Sequence, residues 1–242
     1  MAQILTIWSC EMSAQNSLVN HITRPPIDDA KLYLHQKISV NPKNFLIPKY
    51  GGKFSKLFDD KNEEITLSRM QVIKFFQTDC ELGMLAAIAW GFPNGRLGGY
   101  GDLQNFVNNF DGLKQLIEDI KRDGLDELSF GNLNKIHGVK NGTYTKLLYF
   151  AGCSFAESGE QCLIYDSRVK KYLDELKPVE FKQTLEKLIH RKSSQVPSYE
   201  VYRYYCIECA KCAVSLQTEA PAIEMFMFSA APGKRAPSHS VF

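Results

Sequence analysis

A nearly uninterrupted apolar run at residues 82–90 constrains the fold of this chain more than any other feature. The run is too rich in Ala and Leu for a strand, and it has no polar face, so it predicts a helix that is buried on all sides. Gly91 and Pro93 supply a helix stop directly after it. The sequence therefore predicts a buried central helix.

Amphipathic patterns on both sides of this run give the chain an all-α character. Ser68 with Gln71 fits a capping box at the start of one helix, and Asp111 is placed to cap another. Only residues 223–228 also fit a strand. Further helices are predicted at residues 28–37, 125–136, 181–193 and 198–216, near Thr143 and after Asp166.

Three regions follow from these patterns. Residues 1–60 contain several proline and glycine breaks, so we expect an irregular N-terminal arm that packs on the core. Residues 61–230 carry the helical series and are predicted to form the main domain. Residues 231–242 are polar and contain proline, and we expect a flexible tail there.

Charge limits what the chain can bind. The 29 Lys and Arg residues nearly balance the 27 Asp and Glu residues, so contact with nucleic acid requires local clusters of basic side chains. No segment reaches about 18 uninterrupted apolar residues, and the first residues lack a basic leader. We therefore expect a cytoplasmic protein, in a bacterial-type cytosol or associated with the nucleoid, with no membrane partner.

The seven cysteines do not form a secreted disulfide framework, because their number is odd and they are scattered. Cys206, Cys209 and Cys212 invite an iron–sulfur interpretation, but a cluster needs four cysteine ligands. Their spacing places the three thiols along one flank of a predicted helix. We therefore expect buried, reduced thiols, no metal and no cofactor.

Residues 133–150 contain the pattern that is most informative about function. They predict a helix, a turn punctuated by Gly138 and Gly142, and a second helix. Glycines let main-chain N–H groups approach a phosphate, and a helix N-terminus adds a favourable field for the same anion. Lys146 lies one turn into this second helix, and Asp166 stands at the start of a later one. Taken alone, a lysine in such a helix is usually solvated, and an aspartate before a helix is usually an N-cap. Their joint occurrence beside the turn favours a chemical role.

At these residues the sequence resembles the helix-hairpin-helix DNA glycosylases, and within them the 8-oxoguanine DNA glycosylase-like branch, over about residues 66–230. The usual Gly-Val-Gly turn is here two residues longer. The resemblance implies a two-lobed helical fold with the active site between the lobes. It also implies a monomer acting on double-stranded DNA that contains a damaged or modified base. The matching residues are Gly138, Val139 and Gly142, the pair Thr145 and Lys146, and Asp166.

The resemblance also implies roles for individual residues. Asp166 would stabilise positive charge on the sugar as the bond to the base breaks. Lys146, if partly withdrawn from water, would attack C1′ and form a Schiff base, after which β-elimination nicks the strand. Besides the turn residues, the candidate DNA contacts are Lys140, Thr143 and Arg168, with Asn94, Arg96 and Leu97 filling the gap left by the flipped nucleotide. The candidate walls of a base pocket are Trp90, Phe92, Tyr202, Tyr205 and Phe228.

Several alternatives stay open at the level of sequence. The base is an oxidised purine such as 8-oxoguanine, or a hypermodified phage base such as glucosylated hydroxymethylcytosine in an anti-phage role. The enzyme could be monofunctional, with Asp166 activating water and Lys146 holding a phosphate. The chain could also be a non-catalytic helix-hairpin-helix module that only binds DNA.

Overall fold

The computed structural model describes Leu18, Ile22 and residues 32–58, 63–97, 103–175 and 198–231. These residues are mostly helical, which confirms the all-α prediction. Short 3-10 helices span Leu32–His35, Pro42–Asn44 and Pro48–Tyr50, and strand β1 (Lys37–Val40) pairs antiparallel with β2 (Ile65–Ser68). The described α-helices are α1 (Ser55–Phe58), α2 (Arg69–Thr78), α3 (Cys80–Gly91), α4 (Leu103–Asn108), α5 (Phe110–Asp123), α6 (Glu127–Lys135), α7 (Asn141–Ala151), α8 (Ser167–Glu175), α9 (Tyr199–Ser215) and α10 (Ala220–Ala230).

The apolar run forms α3, the central helix that the sequence predicts. Every residue of α3 from Gly83 to Trp90 is buried. Asp79 caps its first turn by accepting a hydrogen bond from the Leu82 amide at 3.2 Å. Helix α3 packs against α2 and α7, so the helix that carries Lys146 lies directly against the core.

Helix-capping residues in the sequence correctly predict where several other helices begin. The capping box at the start of α2 is complete, because the Ser68 hydroxyl accepts from the Gln71 amide and the Gln71 side chain accepts from the Ser68 amide. Ser198 caps α9 in the same way by accepting from Val201. Residues 223–228 are helical, inside α10.

Two boundary predictions are wrong. Asp111 does not cap a helix, because α5 begins one residue earlier, at Phe110, and places Asp111 in its first turn. Lys37 belongs to β1, where it pairs with Ser68, so the described end of the predicted helix at residues 28–37 is a 3-10 turn and a strand. The predicted helix at residues 181–193 lies outside the described residues.

The N-terminal arm is part of the core where it is described. Phe45, Phe54 and Phe58 are buried and pack ring against ring, and Phe54 also contacts Phe106 of α4. The division at residues 60 and 230 stays a prediction, and residues 232–242 of the tail are not described. None of the described helices has the length and apolar character needed to cross a membrane.

Candidate active site

The structure brings Lys146 and Asp166 together. The Lys146 Nζ lies 3.5 Å from Asp166 Oδ2, and the exposed fractions of the two side chains are only 7% and 16%. Lys146 projects from α7 and Asp166 directly precedes α8. Both side chains are therefore enclosed. A lysine in an amphipathic helix and an aspartate before a helix are usually more exposed to water.

Lys146 contacts a carbonyl group and an aromatic ring through its amine, and a glycine through its methylene stem. Its Nζ donates a hydrogen bond to the Gly142 carbonyl at 2.9 Å and lies 5.2 Å from the centre of the Phe92 ring. Its methylene stem runs over Gly91, where an added Cβ would come within 2.6 Å of Lys146 Cδ. The absence of a side chain at Gly91 therefore makes room for the lysine.

Asp166 uses its two carboxylate oxygens differently. Oδ1 accepts hydrogen bonds from the amides of Arg168 at 3.0 Å and Val169 at 3.2 Å, at the start of α8. Oδ2 faces Lys146. The capping role and the chemical role are therefore compatible, because the cap fixes the carboxylate and leaves the second oxygen for the site.

Three buried hydroxyl groups hold the chain that leads into Asp166. Tyr202 donates to the Leu163 carbonyl at 2.7 Å, and Tyr205 donates to the Ile164 carbonyl at 2.9 Å. Thr145 accepts from the Tyr165 amide at 3.1 Å, which ties the residue before Lys146 to the residue before Asp166. Tyr202 and Tyr205, candidate base walls in the sequence, are placed in the core. Their contacts here position the carboxylate.

The hairpin turn consists of residues 136–140, between α6 and α7. Gly138 has φ of +78°, and an added Cβ would lie 2.5 Å from Asn105 Cβ, so glycine is required there. Val139 and Thr143 are buried, whereas Lys140 is exposed. Lys140 makes no side-chain cap to α7.

Helix α7 begins at Asn141, two residues before the predicted start near Thr143. Gly142 is therefore in the first turn of the helix and not in the turn that precedes it. An added Cβ at Gly142 would lie 3.7 Å from Asp166 Cβ. The first turn of α7 therefore lies against Asp166.

A loop after α3 carries the candidates for filling the gap in the DNA. Asn94 and Arg96 are exposed, but Leu97 is buried in the core. Gly95, at φ of +67°, allows the loop to approach Asn44, whose side-chain amide donates to the Pro93 carbonyl at 3.0 Å. The N-terminal arm therefore contacts this loop and stabilises it.

A cleft of about 480 Å³ lies between the arm and the loop. Its lining includes three cationic side chains, those of Lys43, Lys49 and Arg96. All three are exposed. The cleft therefore groups three basic side chains on one surface, although the net charge of the whole chain is nearly balanced.

Arg168 makes intramolecular contacts in this structure. Its Nε donates to the Phe228 carbonyl at 2.9 Å, and its guanidinium lies 4.9 Å from the centre of the Phe228 ring. It also donates to the Ala231 carbonyl at 3.4 Å. Arg168 thus links the start of α8 to the end of α10, where a cation stabilises the last carbonyl groups of the helix.

A buried ion pair that the sequence patterns do not reveal lies beside the site. Arg69 Nη1 lies 2.6 Å from Glu224 Oε2, and both side chains are almost completely buried. Arg69 Nε also donates to the Gln36 side chain at 2.7 Å. Burial raises the pKa of Glu224, and the charge of Arg69 acts against that shift. The one available signal was a glutamate inside the apolar run at residues 222–228.

The cysteine triplet gives no sign of a metal site. Cys206, Cys209 and Cys212 are buried, free thiols on α9. Burial raises the pKa of Cys212 to about 11, so little thiolate forms at neutral pH. Within the described part of the chain, no three His, Cys, Asp or Glu side chains are grouped so that they could hold a metal ion.

A helical scaffold with an enclosed lysine against an aspartate, next to a hairpin turn, is the arrangement that the resemblance to helix-hairpin-helix DNA glycosylases implies. A family model described as "Putative 8-oxoguanine DNA glycosylase OGG-like protein" matches residues 34–228, and the chain belongs to this family. No curated protein and no solved structure matches the chain.

Proposed function

We propose that the protein is a bifunctional DNA glycosylase, which excises a damaged or modified base through Lys146 and then nicks the strand. The observation that carries the proposal is the 3.5 Å approach of Lys146 Nζ to Asp166 Oδ2 in an enclosed recess. Enclosing two charged groups costs free energy. A module that only binds DNA gains nothing from that arrangement, whereas a glycosylase uses both groups.

Base release begins when the unprotonated amine attacks C1′. The Nζ–C1′ bond forms while the glycosidic bond breaks, and the bonding electrons leave with the base. The proton that Nζ loses after forming this bond passes to the departing base. Asp166 Oδ2 stabilises the positive charge that develops on the sugar. The C1′–O4′ bond then opens to give a Schiff base. Loss of a C2′ proton expels the 3′ phosphate, which nicks the strand.

The proposed path of the DNA uses the hairpin and the arm. The first turn of α7 presents amide groups and a helix N-terminus to a phosphate, with the exposed Lys140 beside it. Asn94 and Arg96 are exposed on the loop that would face the gap left by the flipped nucleotide. Lys43 and Lys49 extend the basic surface along the neighbouring cleft.

Replacing both Lys43 and Lys49 by glutamine should weaken binding to duplex DNA and lower its salt dependence. If each lysine neutralises one phosphate, the slope of log K against log salt falls by about 2. Fluorescence anisotropy over a series of salt concentrations measures the slope. The matched control changes Lys74 and Lys121, which lie on α2 and α5 outside the cleft. An unchanged slope in the first variant excludes the cleft from the DNA path.

Replacing Gly91 by alanine should slow base release by about 10- to 100-fold, because a displacement of a reacting group by about 1 Å is enough for such a loss. The new methyl group would push the Lys146 stem away from its position. The melting temperature should change little, since alanine is the better helix former. In the control, Gly131→Ala on α6, the methyl group meets nothing within 4 Å. Equal rates in the two variants would contradict the proposed placement of Lys146.

The substrate that we propose is an oxidised purine such as 8-oxoguanine, which the description of the family names. The test incubates the protein with duplexes that contain oxidised, alkylated, deaminated or glucosylated phage bases, and identifies the released base by mass spectrometry. Asp166→Asn is the control, since it keeps the shape of the side chain and removes the charge. Release of 8-oxoguanine by the wild type, but not by Asp166→Asn, supports the proposal. Release of another base corrects the substrate, and release of none, with DNA binding intact, supports a binding module.

A further inference from the structure

Two side chains of α7 bind both backbone polar groups of the residue before Asp166. The Thr145 hydroxyl accepts a hydrogen bond from the Tyr165 amide at 3.1 Å, and the Asn141 side-chain amide donates to the Tyr165 carbonyl at 3.3 Å. In a sheet, a neighbouring strand would pair these two groups. Here the two side chains do so. These hydrogen bonds, the Tyr165 contacts, fix the chain before Asp166 to the helix that carries Lys146.

The two side chains lie on one face of α7. Asn141 and Thr145 are four residues apart, which places them one helical turn from each other. The Thr145 hydroxyl also donates to the Asn141 carbonyl at 2.6 Å, so its oxygen is left as an acceptor for the Tyr165 amide. The exposed fraction of Thr145 is 0%. Water therefore cannot replace the hydrogen bond that Thr145 accepts.

Lys146 is held by contacts that do not involve Tyr165. Its amine donates to the Gly142 carbonyl, four residues earlier in the same helix, and its stem packs on Gly91 of α3. Asp166 directly precedes α8 and follows the residue that the Tyr165 contacts fix. Loss of these contacts should therefore move the carboxylate and leave the amine in place.

We propose that Asn141 and Thr145 are positioning residues, which place the Asp166 carboxylate opposite the Lys146 amine. This inference rests on the proposed function and deepens it, because it assigns the Tyr165 contacts to one of the two steps. Base release needs the carboxylate, since positive charge develops on the sugar as the glycosidic bond breaks. Nicking of a strand that already lacks the base needs the amine, which forms the Schiff base with the sugar. The Tyr165 contacts therefore serve base release.

Thr145→Val tests this inference, because valine has the shape of threonine and cannot accept a hydrogen bond from Tyr165. The substrate is a duplex with the base that the wild type releases. Base release in single turnover should slow by about 10- to 100-fold, since a displacement of a reacting group by about 1 Å has such an effect. Nicking of a duplex with a preformed abasic site should stay near the wild-type rate. Asn141→Ala removes the other contact, at a less buried position, and should separate the two reactions in the same way.

Two further variants show whether the effect comes from the hydroxyl group. Thr145→Ser keeps the hydroxyl and should release the base at close to the wild-type rate. Tyr144→Phe is the control for lost stability, because it removes a hydrogen bond to Asn134 at 2.7 Å on the same helix. Tyr144→Phe and Thr145→Val should both lower the melting temperature, since each deletes one hydrogen bond. Only Thr145→Val should slow base release and spare nicking.

Equal slowing of base release and nicking in Thr145→Val and Asn141→Ala would assign the Tyr165 contacts to general folding and overturn the inference. Wild-type rates of both reactions in both variants would also overturn it, because the carboxylate would then be placed without these contacts.

The wild type itself tests the proposed function in the same experiment. A wild type that releases no base overturns the proposed function, and this inference with it. A wild type that releases the base and does not nick abasic DNA contradicts only the bifunctional part of the proposed function. Slower base release by Thr145→Val, with the wild-type rate in Thr145→Ser, would then still support the positioning role.

Discussion

Replacing Lys146 by glutamine should lower the rate of base release by at least about 10³-fold, because the attacking amine is removed from the site. Glutamine retains a side-chain donor that can still reach toward the Gly142 carbonyl, so the fold should persist. Single-turnover kinetics on the duplex that the wild type cleaves gives the rate. Far-ultraviolet circular dichroism checks that the variant remains folded.

Lys74→Gln is the matched control for this experiment, since Lys74 is exposed on α2. It should release the base at the wild-type rate. If Lys146→Gln still releases the base within about tenfold of the wild type but no longer nicks the strand, Asp166 acts through water. The enzyme would then be monofunctional, and Lys146 would have a binding role.

Replacing Glu224 by glutamine should reduce the free energy of unfolding by about 3–5 kcal/mol, as when one partner of a buried ion pair is removed. The variant leaves the guanidinium of Arg69 buried without a counter-charge, and arginine does not give up its proton. Equilibrium unfolding in urea measures the change. The loss should be large because neither side chain of the pair is exposed to water.

Two further variants test whether the loss of stability comes from the unpaired charge of Arg69 and not from mutation in general. The double variant Arg69→Met with Glu224→Leu should recover much of the loss, because it removes both buried charges at once. Arg122→Gln breaks an exposed pair with Asp123 and should leave the free energy of unfolding nearly unchanged. A Glu224→Gln variant as stable as the wild type would contradict the role given to the pair.

Elements that depend on local signals could be predicted from the sequence. The burial of α3 follows from its uniform apolar character, and the start of α2 follows from the spacing of Ser68 and Gln71. The pairing of Lys146 and Asp166 was also predictable, but only because a hairpin motif accompanies them. In each case the signal and the structure that it determines lie within about twenty residues of each other.

Features that depend on distant contacts could not be predicted in this way. Strand β1 forms because Lys37 pairs with Ser68, and this contact overrides the weak helical pattern before it. Helical spacing places Tyr202 and Tyr205 near one another, yet it does not show that their hydroxyls bind the chain before Asp166. Likewise, nothing local to Arg69 indicates that its partner is Glu224.

The most direct test of Lys146 as the nucleophile is borohydride trapping on substrate DNA, followed by peptide mapping of the adduct. Borohydride reduces a Schiff base to a stable bond, so the wild type should become covalently joined to DNA. The linked peptide should carry the DNA on Lys146, and Lys146→Gln should give no adduct. Base release without any adduct, or an adduct mapped to a different residue, would contradict the role of Lys146 as the nucleophile.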